Sequence, residues 1–231
     1  VMQEKRFGDA GNRLVIEEFL EGEEASFMVF SDGIRAVPMV PSQDHKTAYD
    51  EDKGPNTGGM GTYSSDSILS NQERHQVLDQ IITPTIKGMA EEGHPYHGIL
   101  YAGLMITSQG PKVLEFNVRL GDPETQVVLP RIKSDLLDVF QAMAAGSLAE
   151  SKIEWSEDAT VCVVIASGGY PESYATGKEI SGLDMVEEDS DTVVFHAGTS
   201  LEKTTTITSG GRVLGVTSQA PNLRKAILKA Y

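Results

Sequence analysis

Cysteine is nearly absent from this sequence. Cys162 is its single example, which excludes an internal disulfide framework and suits a reducing compartment such as the cytoplasm. Set in the apolar run Thr160-Val-Cys-Val-Val-Ile165, the thiol reads as a small buried hydrophobe. Long apolar runs are missing too. None approaches the roughly 20 residues needed to cross a bilayer, so no membrane partner is expected. Positive charge is scarce: 19 Lys and Arg stand against 34 Asp and Glu, a net charge of −15. A surface of that sign repels a polyanion and argues against nucleic acid as a partner. Phosphorylated small molecules remain open, because they need only a local cluster of donors. Internal repeats and low-complexity stretches are also lacking. What is present, 231 residues with 39% hydrophobic and 23% charged, is ordinary for a globular chain of one large or two modest domains.

Periodicity predicts an α+β fold. Leu14 to Phe19 reads as a strand. Ala25 to Phe30 and Arg35 to Val40 read as a hairpin around Ser31-Asp-Gly33. Pro41 to Ser65, polar and glycine-rich, reads as a long loop, and loops of that length tend to be functional. Ser70 and Glu73 form a capping box ahead of a helix that Pro84 should kink. Gly98 to Thr107 and Lys112 to Leu120 make a second hairpin. Ser134 is expected to cap a helix that Gly146 ends, and Leu136, Leu137, Phe140 and Met143 form its apolar face. Beyond it the character changes to β-rich, with strands at 160–166, 192–196, 204–208 and 212–217. Ser209-Gly-Gly211 should turn the last pair, and a final helix begins near Pro221. The expected division is a first domain at 1–150 and a smaller β-rich domain at 151–231.

The densest chemistry lies in Val113-Leu-Glu-Phe-Asn-Val-Arg119. Alternate residues of a strand share a face, so Glu115, Asn117 and Arg119 point one way. A carboxylate, a carboxamide and a guanidinium in one row suit a hard cation beside a phosphate. The turn Leu120-Gly-Asp-Pro-Glu-Thr-Gln126 follows at once and adds the carboxylates of Asp122 and Glu124. No residue reads as a covalent nucleophile.

Glu115-x-Asn117-x-Arg119 resembles the metal-binding strand of the ATP-grasp superfamily. The surrounding words resemble the phosphoribosylamine–glycine ligase family within it: Glu17-Glu-Phe-Leu-Glu-Gly-Glu-Glu-Ala-Ser26, Ser42-Gln-Asp-His-Lys46, Gly54-Pro-Asn-Thr-Gly-Gly-Met-Gly61, Tyr101-Ala-Gly-Leu-Met105 and Glu115 to Gln126. The resemblance runs along essentially the whole chain. It implies the C-terminal portion of an ATP-grasp domain, an antiparallel sheet with helices, followed by a small β-rich C-terminal domain. It also implies a ligase that joins glycine to 5-phosphoribosylamine at the expense of ATP, with Mg²⁺ or Mn²⁺, acting as a monomer. For ATP it implies Glu17, Glu18, Phe19, Leu20 and Glu24, the last toward the ribose hydroxyls. Phe116 is a core residue by periodicity or an adenine-packing one. Glu115 and Asn117 would hold the metal, and Arg119 would act in catalysis and on substrate. The substrate side would comprise Asp44, His45, Lys46, Asn56, Thr57, Gly58, Gly59, Gly121 and Asp122.

Two departures from the family pattern bear on this. The strand Gly98 to Ile106 lacks the second metal carboxylate that many ATP-grasp enzymes carry there. The family's N-terminal substrate domain and phosphate-binding lysines have no counterpart in the sequence, and Val1 to Gly11 resembles the tail of that missing lobe. A fragment with little activity alone is therefore expected. Alternative readings are another ATP-grasp carboxylate–amine ligase or a non-catalytic nucleotide-binding piece.

Overall fold

A computed structural model describes residues 8–148, 152–186 and 189–231. The fold is built outward from one strand, β1 (Glu23–Asp32). Ala25 to Asp32 are all buried, which fits a central strand covered on both faces. Antiparallel partners flank it: β7 (His97–Thr107) along its whole length on one side, β2 (Ala36–Pro38) and β3 (Ser42–Asp44) on the other.

Alternation along β1 and β7 divides the apolar side chains between two layers. Ala25, Phe27, Val29, Leu100, Ala102 and Leu104 pack against Val77, Ile82 and Ile86. These come from α1 (Asn71–Val77) and the segment after it. Met28, Phe30 and Tyr101 pack against Val127 and Val128 of α3 (Thr125–Val128) and Val139 of α4 (Leu136–Ala145). Each fully buried Phe or Val contributes about 1.5–3 kcal/mol relative to exposure. The β1–β2 and β7–β8 hairpins form as expected, with β8 spanning Gly110–Asn117.

The first helix starts at a complete Ser70–Glu73 capping box. It widens into a π turn at Leu78–Ile82 before continuing as α2 (Thr83–Glu91). Pro84 lies in the first turn of α2, where it lacks an N–H and crowds the preceding carbonyls, so the irregularity has a local cause. Gly146 ends α4 in the left-handed region at φ 72°. The N-cap of α4 is Asp135 rather than the expected Ser134. Ser134 Oγ instead accepts the Glu154 amide at 2.8 Å. Leu137, expected on the apolar face, is 62% exposed.

The expected long loop at 41–65 is largely paired. β3 joins β6 (Gly61–Ser64), and between them β4 (Thr47–Tyr49) and β5 (Lys53–Asn56) form a ribbon. Strands of three or four residues, rich in Gly, Ser and Thr, give too little alternation to be read from sequence. Conversely, the expected strand at Leu14–Phe19 has no ladder. Among the described residues nothing pairs with it, and Val15, Ile16 and Phe19 are exposed. Of the Val1–Gly11 stretch, residues 1–7 lie outside the described residues.

Past α4 the chain re-enters the same sheet. β9 (Ala159–Ala166) pairs antiparallel with β6 from Gly61↔Val163 to Ser64↔Thr160. β13 (Arg212–Ala220) and β10 (Thr192–His196) extend it further, so nine strands run in one sheet. The expected domain division at 150 falls among residues outside the described set, and strands from both sides of it share this sheet. The expected β12–β13 turn is corrected. β12 (Thr205–Thr208) pairs with β11 (Thr199–Glu202), so Ser209-Gly-Gly211 carries the chain between two sheets. Two further helices, α5 (Leu183–Val186) and α6 (Leu223–Ala230), complete the order, and Asn222 caps α6. Cys162 is buried, as expected. Among the described residues no helix is long and apolar enough to cross a membrane.

Candidate active site

β8 forms one edge of the sheet, and its bulge aligns Glu115 with Gly103 while Leu104 meets Val113. Glu115 and Asn117 remain on one face, with Asn117 Nδ2 donating to Glu115 Oε1 at 3.0 Å. The strand ends at Asn117. Arg119 therefore falls beyond it and donates to the Leu120 carbonyl at 2.9 Å, so the expected row of three is a row of two. Phe116 is 43% exposed, which removes its reading as a core residue.

The same sheet face gathers residues from three other strands. Glu24 on β1 accepts from Lys46 Nζ at 2.8 Å. Glu124, only 3% exposed, is delivered by the turn after β8. Its Oε1 accepts from Tyr101 Oη of β7 and from Ser26 Oγ of β1 at 3.2 Å. The two hydroxyls also bond each other at 2.8 Å. Burial, followed by the Glu124 charge, pushes the Tyr101 phenol above its ordinary value. At the end of β3, Asp44 is pushed up to about 6, first by burial and then by the Glu124 carboxylate, against the pull of Lys46. Burial alone would lower Lys46. The Glu24 hydrogen bond and the charges of Asp44, Glu24 and Glu115 outweigh it, so its ammonium is held more firmly than usual.

His45 does not join its two neighbours. It stacks on Tyr63 with ring centroids 6.2 Å apart. A cavity of about 700 Å³ is lined by His45, Tyr49, Tyr63, Val161, Val163 and Ile227. No lysine or arginine lines it, so it is poorly suited to phosphates.

The expected anion cradle at Asn56–Gly59 is closed on itself. The Thr57 amide donates to the Lys46 carbonyl at 2.7 Å, the Gly59 amide to Thr57 Oγ1 at 3.0 Å, and the Gly58 amide to Tyr170 Oη at 3.0 Å. Gly59 has φ 108°, and a Cβ there would lie 2.4 Å from Pro123 Cδ, so only glycine fits against the 121–124 turn. Arg212 of β13 fastens together the two segments expected on the substrate side. Its guanidinium meets the Asp122 carboxylate at 2.9 Å and the Gly58 carbonyl at 2.6 Å.

Sequence reasoning assigned nothing to the C-terminal region, so Arg212 and Tyr170 were missed. Their partners lie 154 and 112 positions away, beyond any local pattern. Ser26 and Tyr101 were missed as well. Glu124 was visible as a carboxylate in the 120–126 turn but carried no assigned role. The nucleotide-side Glu17, Glu18, Phe19 and Leu20 lie in the unpaired stretch before β1, apart from the described cluster.

Glu115 and Asn117 fit a hard divalent cation: one carboxylate and one carboxamide, each with an oxygen to offer, share a face of the edge strand. Among the described residues no three His, Cys, Asp or Glu side chains converge as a metal-holding group. Two protein ligands suit a magnesium-like ion that completes its shell with phosphate oxygens and water.

By fold the chain has the architecture of an ATP-grasp domain portion. It superposes on the β,γ-ATP complex of biotin carboxylase from Campylobacter jejuni with a TM-score of 0.66 at 13% identity, covering 99% of this chain and 48% of that one. The chain belongs to the phosphoribosylglycinamide synthetase family: the ATP-grasp (A) domain of that family matches residues 1–125 and its C domain matches residues 160–231. The phosphoribosylamine–glycine ligase of Halalkalibacterium halodurans is 52% identical over 231 residues, all of this chain and 53% of the relative. That of Salmonella typhimurium is 55% identical over 97% of this chain and 53% of the relative. The solved phosphoribosylamine–glycine ligase of Thermotoga maritima matches with a TM-score of 0.80 at 33% identity, covering 93% of this chain and 52% of that one. The chain thus spans about half the length of these relatives.

Proposed function

We propose that this chain serves an ATP-dependent ligase that joins glycine to 5-phosphoribosylamine, giving glycinamide ribonucleotide, ADP and phosphate in cytoplasmic purine biosynthesis. Residues 1–150 supply the ATP-grasp portion and 151–231 the C-terminal domain, and the protein acts as a monomer. The observation that carries this reading is the meeting on one sheet face of Glu115 and Asn117 with Asp44, Lys46 and Glu24. The relatives named as this ligase select among ATP-grasp reactions.

The chemistry needs no covalent enzyme intermediate. The glycine carboxylate attacks the γ-phosphorus of ATP to give glycyl phosphate, and the amine of phosphoribosylamine then displaces phosphate from the acyl carbon. Catalysis of this kind is positioning plus charge neutralisation. Glu115 and Asn117 would hold Mg²⁺ or Mn²⁺, which when bound neutralises phosphate charge. Arg119, outside the strand and exposed, is free to swing onto the transferring phosphoryl group or the incoming carboxylate. Lys46 brings a firmly protonated ammonium to anionic substrate groups. Glu24 accepts the ribose hydroxyls with the carboxylate oxygen that Lys46 leaves free. Phe19 and Leu20 meet the adenine edge, with Glu17 and Glu18 beside them and Phe116 packing on the ring. Gly121, Asp122 and the Asn56–Gly59 segment, fastened by Arg212, wall the substrate side.

The test is nucleotide-dependent thermal stabilisation. Mg-ATP should raise the melting temperature of the protein, and Glu115→Ala should abolish that shift. An equal shift in the variant would refute the metal assignment.

A further inference from the structure

Four carboxylates share the site face, and three are already held. Glu115 accepts from the Asn117 amide, Glu24 from Lys46, and Glu124 from the hydroxyls of Tyr101 and Ser26. Asp44 has only its own amide: among the described residues no donor from another residue hydrogen-bonds its carboxylate. It stands at the end of β3, partly open, with the Glu124 carboxylate facing it from the 121–124 turn, Glu24 from β1 and Lys46 from beyond β3. An anion so placed has both a free oxygen and a reason to take up a proton.

We infer that Asp44 is the proton acceptor for the amine nucleophile, and that Glu124, anchored by Tyr101 and Ser26, is the positioning residue that makes it one. The inference rests on the ligase reading above. In the step concerned, the amine lone pair forms the C–N bond to the acyl carbon of glycyl phosphate. The C–O bond to phosphorus breaks with its electron pair, phosphate departs, and one N–H proton passes to the Asp44 carboxylate, which later releases it to water. The alternatives on the page are worse placed. Lys46 is already protonated, Glu124 is buried beyond reach, Glu115 belongs to the cation, and His45 stacks on Tyr63 away from this cluster. A base whose proton affinity lies near 6 also matches work near neutral pH, where general-base catalysis is most effective.

The experiment uses a full-length ligase carrying this sequence and separates the two halves of the reaction. Scrambling of ¹⁸O between the β,γ-bridge and β-nonbridge positions of ATP, with glycine present and the amine omitted, reports glycyl phosphate formation. In Asp44→Asn this exchange should persist near the wild-type rate while amide synthesis falls by about 10²–10⁴-fold. The acid limb of kcat/KM for the amine should vanish with it. Tyr101→Phe removes one of the two hydroxyls that hold the Glu124 carboxylate beside Asp44. The acid limb should then move to lower pH and amide synthesis should slow as Asp44 becomes the weaker base, while glycine-dependent exchange persists, a pattern that a purely structural role would not produce. Full turnover in Asp44→Asn overturns the inference. So does loss of exchange together with turnover, which would make Asp44 an anchor for glycine. A wild-type enzyme without glycine-dependent exchange would overturn the ligase reading itself, and this inference with it.

Discussion

Replacing Arg131 with methionine removes the one guanidinium that is completely buried among the described residues, at 0% exposure. In the wild-type chain its five donors are well used. Nε and Nη2 reach the Ser156 carbonyl at 3.2 and 2.8 Å, Nη1 the Ser64 hydroxyl at 2.8 Å, and Nη2 the Asp66 carboxylate at 3.1 Å. Methionine keeps most of the volume and none of the donors. Ser64 retains the Pro41 carbonyl as a partner, and Asp66, more than half exposed, still has Arg74 and water. The Ser156 carbonyl is stranded. Leaving that buried carbonyl unsatisfied costs about 1–3 kcal/mol, with the exposed Asp66 pair contributing little. For a chain of this size that lowers the melting temperature by roughly 2–12 °C. Trp155, the single tryptophan, adjoins the network and bridges to Ile132. Its fluorescence therefore follows unfolding beside the lesion. A loss under about 1 kcal/mol would mean that Arg131 merely fills space, and the argument from its hydrogen bonds would fail.

Asp44 should also cost the protein stability. A carboxyl group whose folded pKa is raised from 3.8 to about 6 ionises more easily in the unfolded chain, so stability drains away as pH rises through that window. Asp44→Asn should raise the melting temperature at pH 8, by an amount equivalent to about 1–3 kcal/mol, and leave it unchanged at pH 3. A variant less stable than wild type at pH 8 would contradict the environment described for Asp44. Gly59→Ala forces a Cβ toward Pro123 at φ 108° and should cost about 1–3 kcal/mol. It should also displace the 121–124 turn, which a raised KM for substrate would register while the Mg-ATP melting shift stays intact.

Much of this could be seen in advance where local physics decides. Ser70 with Glu73, Gly146 and the strand arm from Ala25 to Phe30 each satisfy a backbone or burial demand within a few residues, and each holds. Glu115 and Asn117 share a face for the same reason. Readings failed where the deciding partner is distant. Leu14–Phe19 has strand composition but no neighbour to pair with among the described residues. Pro41–Ser65 looks like a loop because its strands are three or four residues long and borrow their order from β1 and β9. Asp44, His45 and Lys46 look like one cluster, yet the alternation of β3 continues past its end and turns His45 onto Tyr63. Arg212 gave no signal at all, because its meaning lies in Asp122 and Gly58, far back along the chain.

The pairing of β6 with β9 sets an order of events at the ribosome. Ser64 emerges long before Ala159, its partner strand's first residue. At about 5–20 residues per second of synthesis, roughly 5–20 s pass before β9 can close the ladder. Throughout that interval β6 is a free sheet edge, the kind of surface that recruits strands from other chains. Its four residues, Gly-Thr-Tyr-Ser, make it short and polar, a poor template for such recruitment. The features that hid this strand in the sequence are the ones that let it wait safely for its partner.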